Sequence, residues 1–147
     1  MKKAIYLLLF SAFFESASGQ SSDSLLVHRA ALDYLEGFYE GDTLKLQRSL
    51  SPDLHKYGYY KSKSGEYEGD RMSYEQAIDF AKKVLEKKRF PKADAPKEVY
   101  VLEVQDQIAC AKVVAWWGMD FLLLARHDGA WRIEQVIWQG PLPTVKR

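Results

Sequence analysis

From Ser24 to Glu40 the apolar residues Leu25, Val27, Ala31, Leu32, Tyr34, Leu35, Phe38 and Tyr39 recur at helical spacing, while Arg29, Asp33, Glu36 and Glu40 fill the narrow arc left over. The spacing predicts a long helix buried around most of its circumference, capped by Asp23 and stopped by Gly41. A short second helix follows, with Asp42 as cap, Leu44, Leu46 and Leu50 as apolar contacts, and Pro52 as its limit. Residues 57–70, YGYYKSKSGEYEGD, alternate tyrosines with polar groups around Ser64 and Gly65, which reads as a hairpin or flap. Ser73 and Gln76 form a capping box, and Tyr74, Ala77, Ile78, Ala81, Val84 and Leu85 then trace the stripe of a third helix ending before Pro91.

Past Pro91 and Pro96 the period changes. Residues 97–105, 108–117, 119–127 and 130–138 are rich in Val, Ile, Leu and aromatics, with turns at Asp106 and Gln107, at Gly118, and at Asp128 with Gly129. Helices first and a four-strand antiparallel meander last predict an α+β domain with its helices gathered on one face of the sheet. The strands are apolar on both faces, as the run Phe121 to Ala125 shows. The face without helices is therefore expected to meet a second copy of the chain, giving a homodimer through the outer sheet face.

Residues 1–19 do not fit the domain pattern. Lys2 and Lys3 precede the apolar run Ala4 to Phe14, and Ala17, Ser18 and Gly19 close the stretch, which is the form of a secretory signal peptide cut before Gln20. Its apolar run is too short to span a bilayer and no later run is longer, so no stable membrane association is expected. The expected destination is the periplasm or the extracellular space. From 21 basic and 20 acidic residues the cut removes Lys2, Lys3 and Glu15 and leaves the two signs equal, which makes nucleic acid a poor partner. The single cysteine, Cys110, excludes a disulfide within the chain and sits in a strand pattern as a small buried hydrophobe.

Three stretches carry a resemblance. LDYLEGFYEGD (32–42), SPDLHK (51–56) and VYVLEVQDQIACAKVVAWWGMDFLLLARHDGAWRIEQVIW (99–138) resemble the putative lumazine-binding family of the nuclear transport factor 2-like superfamily. The resemblance implies a cone: three N-terminal helices packed on a curved antiparallel sheet around a pocket. It places the domain at residues 22–139, with residues 140–147 as a tail. Histidines that such relatives often carry where Ser51 and Leu123 stand are missing from this chain.

Asp120 follows Trp116, Trp117 and Gly118 at the start of an apolar strand, where desolvation could raise its pKa and fit it for acid or base work; alternatively it satisfies backbone groups at a hairpin corner. His28 falls within the apolar arc of the first helix and is the candidate partner, or else a core histidine. Tyr34, Phe38, Tyr57, Tyr59, Tyr100, Trp116 and Trp138 are the candidate walls of a pocket for a small aromatic or apolar molecule. His55 and His127 flank expected turns, and Lys82, Lys83, Lys87, Lys88, Arg89 and Lys92 form a solvated end of the third helix. No metal-ligand spacing, phosphate loop or nucleophile elbow is present in the sequence, and no cofactor is expected. The leading expectation is a non-catalytic small-molecule-binding domain. Its alternative is a cofactor-free isomerase, dehydratase or cyclase using Asp120 with His28 or a tyrosine. Mass spectrometry of protein exported by an expressing bacterium should find Gln20 as its first residue.

Overall fold

Residues 15–142 are described by a computed structural model, with side chains from residue 22 onward. Three helices, α1 (Glu15–Glu40), α2 (Thr43–Ser49) and α3 (Tyr74–Glu86), accompany six strands: β1 (Leu50–Lys61), β2 (Tyr67–Met72), β3 (Glu98–Val104), β4 (Ile108–Ala115), β5 (Gly118–His127) and β6 (Ala130–Gln139). The strands form one sheet in the order β2-β1-β6-β5-β4-β3. Residues 57–70 make the hairpin that their alternation suggests, and β3 to β6 form the expected antiparallel meander. The third hairpin turn falls on Trp116 and Trp117, with Gly118 already in strand. One pairing is new. β1 runs parallel to β6, so the sheet is mixed, and this contact carries the β1–β2 hairpin onto the meander. Register shifts between Leu50 and His55, Val101 and Glu103, and Leu123 and Leu124 bend the sheet around the helices.

α1 buries Val27, Ala30, Ala31, Tyr34, Leu35, Phe38 and Tyr39 against the inner sheet face, at the three- and four-residue spacing that a helix stripe requires. Asp42 caps α2 by accepting from the backbone N–H groups of Leu44 and Lys45, and the Ser73–Gln76 box opens α3. Ala77, Ile78, Ala81 and Val84 of α3 are buried. On the strands, burial alternates: Ala109, Ala111, Val113 and Ala115 of β4 and Leu122 and Leu124 of β5 face the helices.

Several expectations change at the ends of elements. Asp23 lies inside α1 rather than capping it, and it pairs with Arg126 instead. Leu25, Leu44 and Leu85 are exposed rather than buried on their helix stripes. Residues 1–14 of the expected export signal lie outside the described residues, as do residues 143–147 of the tail.

Asp33 reverses its expected place. It is buried, because two half-exposed arginines reach over it: Arg29 Nε at 2.9 Å and, from α2, Arg48 Nε at 2.7 Å. Glu36 extends the cluster to Arg29 and Lys45 at 2.9 and 2.8 Å. Burial pushes the Asp33 carboxyl up, but the hydrogen bonds from Arg48 and Arg29 outweigh it and hold the pKa below the usual carboxylate value. Its contribution to stability is therefore present above the unfolded-state value of about 3.9 and is lost as pH falls through the lower folded value. Asp33→Asn should cost about 1–3 kcal/mol at pH 7, and the gap from the parent in denaturant melts should close as pH drops below about 4.

Candidate functional site

The inner stripe of β5 reads Gly118, Asp120, Leu122, Leu124, and Asp120 is the fully buried ionisable group on it. On β1 the inner positions are Leu54, Lys56 and Gly58, and Lys56 is buried as well. The parallel β1–β6 pairing sets Lys56 beside Val136, while Trp138 sits beside both Gly58 and Asp120. Lys56 Nζ consequently reaches the Asp120 carboxylate at 3.2 Å and donates to the Tyr34 hydroxyl at 2.6 Å. Tyr34, fully buried on α1, donates in turn to the same carboxylate oxygen. The Trp117 indole N–H donates to the other oxygen at 2.7 Å.

Aromatic rings close the cluster. Lys56 Nζ stands 5.3 Å from the Tyr34 ring, 5.3 Å from Trp138 and 6.0 Å from Phe38, a cation among π-faces. Phe38 lies edge-on to Tyr34, Trp117 and Phe80. Glycines make two of these placements feasible. A Cβ on Gly58 would stand 1.9 Å from the Trp138 indole nitrogen, so only glycine lets that ring lie across β1. Gly118, at φ +149, would carry a Cβ 2.0 Å from the Gln139 carbonyl oxygen, and its conformation turns Trp117 inward.

Burial lowers the pKa of Lys56, and Asp120 opposes that shift only in part. Such a lysine binds its proton less tightly folded than unfolded, so its charge costs stability at pH values below the free-lysine range, and the cost is relieved as pH rises into that range. Burial and then Asp120 push the Tyr34 phenol well above its usual value, so it remains a hydrogen-bond donor into the alkaline range.

The candidate residues read from sequence divide between the two faces. Tyr34, Phe38, Trp138 and Asp120 meet inside. His28 is exposed on α1 and is not a hydrogen-bond partner of Asp120, which corrects its placement on the buried arc. Tyr57, Tyr59 and Tyr100 belong to the outer face, because strand parity opposes them to the inner Lys56, Gly58 and Val99. Trp116 is half exposed at the turn, where its backbone N–H donates to the Tyr39 hydroxyl at 3.0 Å. Cys110 is partly buried on the outer face and not in the core. His55 lies mid-strand on β1, and His127 pairs with Glu134 at 2.6 Å.

Lys56 and Trp117 were missed as site residues. The signal for Lys56 was the alternation Leu54, Lys56, Gly58, which the neighbouring tyrosines obscured. Asp120 and Lys56 are sealed from solvent by the side chains around them. Surface hollows lie on the outer sheet face and beside the 90–97 loop. Among the described residues no group of three or more His, Cys, Asp or Glu is placed to hold a metal ion.

A family model described as putative lumazine-binding matches residues 22–139. The chain belongs to that family. Solved structures agree on the fold. A nuclear transport factor 2-like protein of unknown function from Silicibacter pomeroyi DSS-3 is 21% identical at a TM-score of 0.61, over 85% of this chain and 98% of that one. Nuclear transport factor 2-like proteins of unknown function from Shewanella baltica OS155 and Methylobacillus flagellatus KT follow. They are 15% and 14% identical, with TM-scores of 0.57 and 0.56, and they cover 80% and 87% of this chain and 93% and 94% of their own. No curated protein matches the sequence. Within this putative lumazine-binding fold, Tyr34, Lys56, Trp117 and Asp120 form a buried polar cluster between α1 and the sheet.

A buried pair that loses one member leaves an uncompensated charge. Lys56→Met should therefore cost about 3–5 kcal/mol, and Lys56→Met with Asp120→Asn clearly less than the sum of the single changes, as a double-mutant cycle in urea would measure.

Proposed function

We propose that this chain is an exported domain that binds a small planar organic molecule between α1 and the sheet, with Asp120, Lys56 and Tyr34 as its polar anchor. The observation that carries the reading is a fully buried carboxylate and a buried ammonium walled by aromatic rings. Apolar side chains of similar volume would stabilise a core at least as well as such a pair, so its presence points to a task other than folding. The anchor offers a carboxylate acceptor together with ammonium, phenol and indole donors, and Phe38, Trp117 and Trp138 offer flat faces. That combination suits a heteroaromatic ring with both donors and acceptors on its edge. Trp117 and Trp138 are the partly exposed members of the wall, so a guest would enter by displacing one of these rings.

The Tyr34–Asp120 contact supports the second reading, a cofactor-free isomerase-type enzyme with that pair as acid and base. In that reading the tyrosine is the partner of Asp120, and the exposed His28 is not.

Lumazine, a pterin and riboflavin, each at saturating concentration, test the proposal. At least one should raise the melting temperature by several degrees and quench tryptophan emission, since a ligand held by the folded state alone stabilises it. Asp120→Asn should lose the shift relative to its own baseline. Absence of both signals with the parent protein sinks the pterin-like reading. Chemical change of a bound compound, seen by NMR, would move the conclusion to the enzyme.

A further inference from the structure

Lys56 is the one buried lysine among the described residues, and an acid and a base stand around its nitrogen. Tyr34 accepts a hydrogen bond from Nζ at 2.6 Å and donates to Asp120 Oδ2, which itself lies 3.2 Å from Nζ. Amine, phenol and carboxylate therefore close a triangle in which a proton passes between any two members. An arginine can also pair with a buried carboxylate, but only an amine can release a proton and act as a nucleophile. Burial holds the Lys56 pKa below its ordinary value, so the nucleophilic form is closer to hand than on a surface lysine.

We infer that Lys56 forms an imine with the aldehyde or ketone carbon of a planar organic ligand, while Asp120 and Tyr34 move the protons. The inference rests on the reading of this interior as the site of a planar molecule, and it names the reactive group that the molecule carries. Such a compound reaches Nζ past the partly exposed Trp117 or Trp138.

The step balances without an oxidant or a reductant. Asp120 takes one proton from the Lys56 ammonium, and the freed lone pair attacks the carbonyl carbon. A C–N bond forms as the C=O π pair moves onto oxygen. Tyr34 relays a second proton from nitrogen to that oxygen, receiving one as it gives one. Asp120 then returns its proton to the new hydroxyl, the C–O bond breaks and water leaves. The sum is an ammonium and a carbonyl giving a protonated imine and water.

Conservation of charge singles out this chemistry among those open to a lysine. An acyl group would neutralise the nitrogen and strand Asp120 as an unpaired buried charge. A protonated imine leaves a cation opposite the carboxylate. The rings of Tyr34 and Trp138, each 5.3 Å from Nζ, and of Phe38 at 6.0 Å face a positive nitrogen before the reaction and after it.

Cinnamaldehyde and cinnamyl alcohol share a planar frame and differ at the reactive carbon, so together they separate the inference from the reading beneath it. The whole chain, treated with limiting cinnamaldehyde and sodium cyanoborohydride and mapped by peptide mass spectrometry, should carry a reduced adduct on Lys56. That adduct should accumulate roughly tenfold faster than those on the exposed Lys82 and Lys87, because acid and base stand ready only at Lys56. Accessibility alone gives the opposite order. Lys56→Arg, with unchanged circular dichroism, should lose this adduct and keep the surface ones, and Tyr34→Phe should form it roughly tenfold more slowly. A parent protein with no adduct on Lys56, or one no faster than on Lys82, overturns the inference. A melting shift with cinnamyl alcohol in that case leaves the planar-ligand reading standing, whereas no shift with it or with the pterin-type probes removes that reading too.

Discussion

The ion pair between Lys56 and Asp120 is the constraint around which the rest of the interior is arranged. Neither charge can be left alone in a core, so every neighbouring element supplies a compensating group. α1 contributes the Tyr34 hydroxyl, the β4–β5 turn the Trp117 indole N–H, and β6 the face of Trp138. The requirement reaches the backbone. Gly58 is needed for the Trp138 ring to approach β1, and Gly118 for the turn that brings Trp117 inward. An interior so constrained has few alternative packings.

A second cluster of charge organises the opposite side of α1. Asp33 and Glu36 gather Arg29, Arg48 and Lys45, and so tie α2 against the helix before it. The two clusters differ in kind. Asp33 is covered by arginines that remain half in water, which makes the arrangement tolerant, whereas Lys56 and Asp120 are both sealed from solvent. The two faces of the sheet differ as well, with a buried polar cluster on the inner one and half-exposed apolar side chains on the outer one.

Local signals in the sequence were enough for the helices and turns. The Ser73–Gln76 box, the Asp42 cap, the spacing of Val27, Ala31, Tyr34 and Phe38, and the Asp128–Gly129 turn each act within a few residues, so their outcomes were readable one at a time. The four-strand meander was readable for the same reason, since each strand pairs with the next. Asp120 stood out as the one acid between a tryptophan pair and an apolar run. The face assignments of Tyr57, Tyr100 and His28 were not readable. A helix as apolar as α1 hides its own polar side, and in strands carrying apolar residues at both parities the core face shows only when a helix covers it.

By itself, then, the sequence determined the α+β class, the order of elements, and Tyr34, Phe38, Asp120 and Trp138 as members of one interior. Only tertiary structure decided that Lys56 joins them. The parallel β1–β6 contact that sets its strand beside Trp138 has no local cause, and it brings Lys56 to Asp120, 64 positions away along the chain. Periodicity reports what each segment buries; which buried groups touch is a property of how segments pair, and that is settled by the packing of the whole sheet.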